Sequence, residues 1–466
     1  MSTLQTTRTP TPLDLDQLRQ RVLGAVVAPW DDDWDDVRQA WNVAFDQRPA
    51  LVVQPETVGD VQQVMAFAAT HELRVAPQST GHNAMALGDD LADTLLVRMD
   101  RMRGVTVDPV GRRFRAQGGA WWGDVTAVVA PLGLAALAGS SPDVGVVGYT
   151  LGGGISWLGR RHGLAANSVL AIEVVTADGA LVRCDHSTEP GLFWALRGGG
   201  GSFGVVTAIE MALYPLPEVL AGALFFPWER AREVLQAWAT WTHDVPDALT
   251  SIGRMLQFPP IPDVPEPLRG GRFAVVEVAW LGDARSGDEL VAPLRALGPT
   301  IDTIAMVPPD GLARLHMDPE GPTPGIGGTR MLRALPGAAV DALVDAVGPG
   351  SGSPLLSVEI RHLGGALGRS APRHGALERL AGDYLAFGVG VPVVPELVAP
   401  IEASLAAMQA ALAPWGTETQ YLNFVEEPAH ASTFHDEGAL ARLRSVKAAV
   451  DPSERLRANH PIRAAA

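Results

Sequence analysis

The sequence predicts an α+β fold, and three observations carry that prediction. Two hairpin signals fall among helical stretches rather than in strand–helix–strand units: residues 108–111 (Asp-Pro-Val-Gly) between apolar runs, and Asp178-Gly179 between two more. No G-x-G-x-x-G opens a helix after the first strand, which disfavours a doubly wound dinucleotide fold and a nicotinamide-dependent reaction. Finally, the patterning changes after Pro215 and returns to a mixed type after Gln420, as expected if 466 residues form two compact units.

The elements follow in order. Residues 51–53 read as a short strand. Thr57 with Asp60 has the form of a capping box, and Val61, Val64, Met65 and Ala68 then share one helical face. Residues 74–76 form a strand leading directly into the loop around His82. The first hairpin spans residues 105–116; Trp122, Val125, Val128, Val129 and Leu132 mark an amphipathic helix; the second hairpin spans 172–184. In the middle, strands at 220–226, 273–280 and 355–363 alternate with helices at 228–243, 340–347 and 401–412. Two Pro/Gly-rich loops, 258–267 and 318–328, are long enough to be functional or mobile. The tail from 420 to 462 reads as a strand and then a helix, with Leu440, Leu443 and Val450 on one face and Asp451-Pro452 as its stop. Trp228, Trp238 and Trp241 fit a helix core, whereas Arg160 and Arg161 read as the surface of a helix near Trp157.

Composition narrows the partners. Hydrophobic residues make up 47% and charged residues 19%, which suits a globular enzyme-sized chain. A net charge of -16 argues against nucleic acid and anionic membrane as partners. Cys184 is the single cysteine, so no intrachain disulfide or cysteine metal site is expected. Residues 1–12 read as a short disordered tail without a twin-Arg pair or an apolar signal core, and no apolar run of membrane-spanning length is seen. The expectation is a cytoplasmic protein, monomer or homodimer.

Three glycine-rich clusters stand in the first half: Gly145 with Gly148, Gly152-Gly153-Gly154, and Gly198-Gly199-Gly200-Gly201. Such backbone can bring N–H groups close to a phosphate, and a following helix N-terminus adds a favourable dipole. Taken singly, a cluster reads better as a turn; three within a short span read better as a cradle. His82 follows a strand and a turn of small donors, so its ring can reach a planar group; no second ligand at helical or turn spacing supports a metal. Tyr421 and Asn423 alternate, as do Glu359 and Arg361, so on strands each pair shares a face. Tyr421 can position a substrate, or accept a proton if its pKa is lowered; equally it is a buried tyrosine with a bonded hydroxyl. Glu359 is a candidate base tuned by Arg361, against the reading of a solvated edge strand.

Read together, the motifs carry a resemblance. They are residues 76–83 (Ala-Pro-Gln-Ser-Thr-Gly-His-Asn), 139–145 (Gly-Ser-Ser-Pro-Asp-Val-Gly), 151–154, 163–167, 192–204, Tyr421-Leu422-Asn423-Phe424, and Val446-Lys447 with Asp451-Pro452. In that order they resemble the berberine-bridge-type FAD-linked oxidases, across almost the whole chain outside its middle.

The resemblance implies a two-lobed PCMH-type FAD-binding fold. Residues 1–44 would be a tail and first helix, 45–215 the FAD-binding domain, 216–415 an inserted α+β substrate domain (an antiparallel sheet with helices) roofing the flavin, and 416–466 the segment that closes the first lobe. It implies a covalent bond from His82 to the 8α-methyl carbon of FAD. Gln78, Ser79, Thr80, Gly81, Asn83, Ser141, Asp143, Val144, Gly145, Gly148, Gly152, Gly153 and Val205 are the other cofactor positions it implies. Ser141 stands where doubly linked members carry Cys, so the flavin is expected on His82 alone, as in the branch of 6-hydroxy-D-nicotine oxidase-like and bacterial biosynthetic members, with a lower potential. Val144 matches a position where Val goes with oxygen access.

The implied activity is an oxidase: hydride from an alcohol or amine C–H of a small molecule to the flavin, O2 reduced to H2O2, and Tyr421, Asn423, Glu359 and Arg361 on the substrate side. The alternatives are a flavin dehydrogenase or monooxygenase-like enzyme, and, from another class, a non-catalytic flavin-binding protein. Specificity stays open, because residues 220–415 lie outside the motifs.

Overall fold

The computed structural model describes residues 11–464. Most of the expected N-terminal tail, residues 1–10, lies outside the described residues. Its last two positions belong to structure instead: Thr11 caps the helix Pro12–Arg19 through a reciprocal bond with Asp14.

Two main sheets build the first lobe, beside a short pair of Leu134–Ala135 with Tyr214–Pro215. The smaller runs in the order Ala25–Val27, Leu51–Gln54, Thr94–Arg98, Arg74–Gln78, with its last three strands parallel. The helix Val58–Thr70 supplies one crossover; Thr57 and Asp60 form its capping box, and Val61, Val64, Met65 and Ala68 are buried. The second sheet is antiparallel throughout, in the order Val105–Asp108, Arg113–Gln117, Val205–Ala212, Val169–Val175, Leu181–Cys184. Both expected hairpins are its outer pairs. The amphipathic helix is shorter than its apolar pattern: Trp122–Val129 buries Trp122, Val125 and Val129, while Val128 and Leu132 are exposed.

An eight-stranded antiparallel sheet forms the middle of the chain. Its main order is Ile301–Asp302, Val219–Pro227, Arg272–Trp280, Leu249–Gln257, Ser357–His362, Tyr384–Gly390, Ile326–Leu332, with Ala305–Val307 also on Val219–Pro227. The helices Ala231–Trp241, Ala284–Arg295, Gly337–Val347 and Val398–Leu412 cover one face through Leu235, Trp238, Val291, Leu343, Leu405 and Met408. Ala221, Ile252 and Ala279 on the opposite face join the core of the first lobe.

Several sequence expectations are corrected. Ser357–His362 is no solvated edge strand: it pairs on both sides, with Leu249–Gln257 and Tyr384–Gly390. The loop expected over 318–328 ends early, because the strand Ile326–Leu332 begins within it. The strand expected after residue 420 is a 3₁₀ turn, Leu422–Phe424, followed by the helix Glu437–Val450. Arg160 is buried rather than superficial, donating to the Leu249 carbonyl at 2.7 Å. An apolar run of spanning length does exist: the 21-residue helical stretch Pro395–Trp415, rich in alanine and leucine, is long and apolar enough to cross a membrane. Ile401, Leu405, Met408 and Leu412 of that stretch are buried against the sheet.

Candidate active site

The strand Arg74–Gln78 delivers its chain into a loop that the rest of the lobe grips. Gln78 and Gln47 exchange side-chain amide bonds at 3.0 and 3.1 Å. Ser79 Oγ donates to the Gly119 carbonyl at 3.4 Å. Gly81 has φ +86° and a Cβ there would lie 2.9 Å from Ala40 Cβ, so only glycine makes the turn that presents His82. Asn83 donates to the Val425 carbonyl at 3.2 Å, joining this loop to the C-terminal segment.

His82 is held on three sides. Thr80 Oγ1 lies 2.8 Å from Nδ1, the Trp41 ring stacks on the imidazole at 4.0 Å between centroids, and Asp143 Oδ1 lies 3.5 Å from Nε2. Asp143 also accepts from Trp41 Nε1 at 2.6 Å, Ser141 Oγ at 2.8 Å and the Gly321 amide at 2.8 Å. Burial would raise the Asp143 pKa, but His82, Gly321, Ser141 and Trp41 outweigh it and hold the carboxyl far below its usual range. Trp41 and Gly321 were not legible in the sequence as site residues.

The glycine cradle lies beside this loop. Gly145 would press a Cβ within 2.6 Å of Ser79 Oγ, whereas a Cβ on Gly148 would meet nothing within 4 Å. The helix after Gly145, Val146–Leu151, has only six residues, so the anion-binding capacity expected here rests on amides and hydroxyls more than on a helix dipole. Gly152 and Gly153 back onto Asn423 and Tyr421, respectively. Val144 is partly buried against the core of the first lobe, and Val205 is fully buried at the start of its strand.

Tyr421 and Asn423 meet although they are not on a strand. The Tyr421 hydroxyl accepts from the Gly154 amide at 2.8 Å and from Asn423 Nδ2 at 3.0 Å; Asn423 Nδ2 also donates to the Tyr149 carbonyl at 2.9 Å. Burial raises the Tyr421 pKa, so the phenol stays protonated and acts as a donor, not a base.

Across from them, the helix-free face of the large sheet carries a buried chain of charges. Arg361 Nε donates to Glu359 at 2.6 Å, and the other Glu359 oxygen contacts His316 Nε2. His316 Nδ1 lies 2.6 Å from Glu277, which accepts from Arg254 at 3.1 Å. Despite burial and Arg254, the carboxylates Glu277, Glu359 and Asp318 push the His316 pKa up to about 9. Burial opposes ionisation of Glu359 as well, yet Arg361 and His316 keep it well below the carboxylate range, which makes it a weak proton acceptor. Glu426 behaves oppositely: burial lifts it to about 7 despite its bond from the Gly327 amide at 2.7 Å. No motif pointed to His316, Glu277 or Glu426, which come from separate loops and strands. The stretch 318–325 links the two sides, with Asp318 accepting from Ser140 and Gly325 donating to Asn42.

Buried polar atoms on the cradle side lack partners in the protein: His82 Nε2, Asn83 Oδ1 and Trp121 Nε1 make no hydrogen bond among the described residues. With open space above Gly148, these residues fit a planar, phosphate-bearing group such as FAD.

Residues 49–185 match the family model of the FAD binding domain. Over 459 residues the chain is 30% identical to (R)-6-hydroxynicotine oxidase of Paenarthrobacter nicotinovorans, covering 95% of this chain and 97% of that one. The chain belongs to the berberine-bridge-type FAD-linked oxidase family. This FAD-linked oxidoreductase is also 32% identical over 227 residues to xylooligosaccharide oxidase of Thermothelomyces thermophilus, 48% of this chain and 46% of that one. Among solved structures, BBE-like 1 of Physcomitrella patens superposes with a TM-score of 0.84 at 19% identity, covering 97% and 99% of the two chains, a likeness of fold. The 6-hydroxy-D-nicotine oxidase structure from Arthrobacter nicotinovorans gives 0.79 at 26% identity, covering 93% and 96%. The two-lobed α+β expectation agrees with these neighbours.

Proposed function

We propose that this enzyme is an oxidase that carries FAD on a single bond from His82 and oxidises an alcohol or amine C–H of a small organic substrate, with O2 as acceptor and H2O2 as product. One observation carries the reading: Thr80, Trp41 and Asp143 fix the His82 ring while Ser141, not a cysteine, occupies the neighbouring loop. Held by His82 and the glycine cradle, FAD would supply the hydride-accepting and oxygen-reducing chemistry. The protein's own part is to orient and to move protons. Asp143, held ionised by its partners, is placed to orient and polarise the imidazole. Tyr421 accepts from Gly154 and Asn423, so its own proton is available to a ligand oxygen or nitrogen. Asn423 holds that hydroxyl in place.

Relatives named for 6-hydroxynicotine and for oligosaccharides support a small-molecule substrate, and the nicotine oxidase alone of the two described above aligns along its whole length. The net charge of -16 supports a protein without nucleic-acid or anionic-membrane partners, and the single buried Cys184 fits a cytoplasmic setting. We read it as a monomer or homodimer, with residues 45–215 and 416–466 as the FAD-binding unit around an inserted 216–415.

Acid precipitation of the purified enzyme tests the proposal, with His82→Ala alongside. A yellow pellet from the parent, colour left in the supernatant for the variant, and peroxide on substrate oxidation are the expected results. A colourless parent pellet from a flavin-replete sample refutes the tether. Flavin bleaching without peroxide indicates a dehydrogenase, oxygen in the product indicates a monooxygenase-like enzyme, and no bleaching by any alcohol, amine or sugar leaves a flavin-binding protein.

A further inference from the structure

The buried charges on the large sheet do not balance. Arg254, His316 and Arg361 alternate with Glu277 and Glu359, so three cations share two carboxylates. His316 counts among the cations because its neighbours hold its proton to about pH 9. Asp318 lies 3.9 Å from His316 Nε2, but its side chain is 29% exposed and it also accepts from Ser140, so it offsets the excess from the rim only. Burying uncompensated charge is costly, and a site built this way favours a ligand of the opposite sign.

Arg361 has more unused donors than Arg254. Arg254 is engaged through Nε with Ser357 and through Nη1 with both Glu277 and the His316 carbonyl. Among the described residues Arg361 makes a single hydrogen bond, from Nε to Glu359, and its side chain is 12% exposed. Its terminal nitrogens make no further hydrogen bond among those residues. The guanidinium lies over the Phe424 ring at 4.9 Å, three residues from Tyr421. Glu359 fixes the plane of the fork from behind, and Phe424 supports it from one face.

We infer that Arg361 is a recognition site for a carboxylate or other oxyanion on the substrate, so that the substrate class is an anionic alcohol or amine rather than a neutral sugar. The inference rests on the oxidase reading for the reaction, but not for the binding. A planar guanidinium with two free nitrogens pairs with a carboxylate in two-pronged fashion, which a neutral polyol cannot reproduce. Glu359, His316 and Glu277 are then positioning residues, acting through Arg361.

Calorimetric titration of the holoenzyme with benzoate and with its neutral analogue benzamide tests this, with Arg361→Gln and Arg361→Lys as variants. Benzoate is expected to bind the parent at least tenfold more tightly than benzamide. Arg361→Gln should bring benzoate down to the benzamide level, and Arg361→Lys, which keeps Glu359 paired, should lose less. Equal affinities in the parent, no benzoate binding, or undiminished benzoate binding by Arg361→Gln overturns the inference. The parent comparison decides even if a variant fails to fold. Heat is read independently of colour: a yellow enzyme that ignores charge refutes this inference alone, and a colourless protein that prefers benzoate refutes the flavin reading alone.

Discussion

Trp41 lies flat against His82, with 4.0 Å between ring centroids and 16° between planes, while its indole N–H reaches past the imidazole to Asp143 at 2.6 Å. One residue therefore sets both the tilt of the ring and the orientation of the carboxylate beside it. Asp143→Asn keeps the size but removes the charge that orients and polarises the imidazole. Covalent incorporation of FAD should slow by roughly 10²-fold, while reversible FAD binding persists. The ratio of acid-stable to released flavin over time measures this.

Tyr421→Phe retains the buried ring and loses the hydroxyl that accepts from Gly154 and Asn423. As the phenol is a donor at working pH, kcat should fall by about 10-fold or more. An unchanged alkaline limb of the pH–rate profile in the variant would show that the phenol does not titrate as a base.

His316 ties Glu277 to Glu359 inside the fold. His316→Gln leaves two buried carboxylates facing each other with one cation fewer, at a cost of about 3 kcal/mol by chemical denaturation. The pH dependence has a definite sign. The folded pKa, about 9, lies above the ordinary value of 6.5, so the stabilisation is complete below pH 6.5 and is lost as pH rises through 9. The parent's melting temperature should decline across that window, and the variant's should decline less.

Glu426 follows the same sign at lower pH. Its carboxyl is raised from 4.5 to about 7, so the folded state holds the proton more tightly than the unfolded chain does. Stability from this group is lost as pH climbs from 4.5 through 7. Glu426→Gln, which still accepts from the Gly327 amide, should raise the melting temperature at pH 8 and leave it nearly unchanged at pH 4.5.

Lys447 is buried on the helix Glu437–Val450, where its ammonium donates to Asp451 at 2.6 Å and to the Ser202 carbonyl at 2.9 Å. The pair fastens the C-terminal segment to the third glycine cluster. Lys447→Met strands a buried carboxylate and should destabilise the enzyme by about 3 kcal/mol, read by denaturant unfolding. Flavin retention should fall with it.

What the sequence determined by itself is local, or is a linear pattern of motifs. The Thr57–Asp60 capping box, both hairpins of the second sheet and the turn at Gly81 depend on residues a few positions apart. The order of motifs was enough to indicate the family. Tertiary structure decided the rest, because burial and ion pairing join residues far apart in the chain. Leu249–Gln257 hides its strand character behind Gly253 and Arg254, yet its pairing makes Ser357–His362 an interior strand. That interior position turns Glu359 from a candidate base into a clamped anion, since Arg361 of its own strand and His316 of a distant segment flank it. Tyr421 and Asn423 share a face in the folded protein through a 3₁₀ turn and a hydrogen bond, not through strand alternation. The partners of His82 were hidden for the same reason: Trp41 and Asp143 lie 41 residues before and 61 residues after it, and no periodicity in a chain records which side chains a fold will bring within 4 Å.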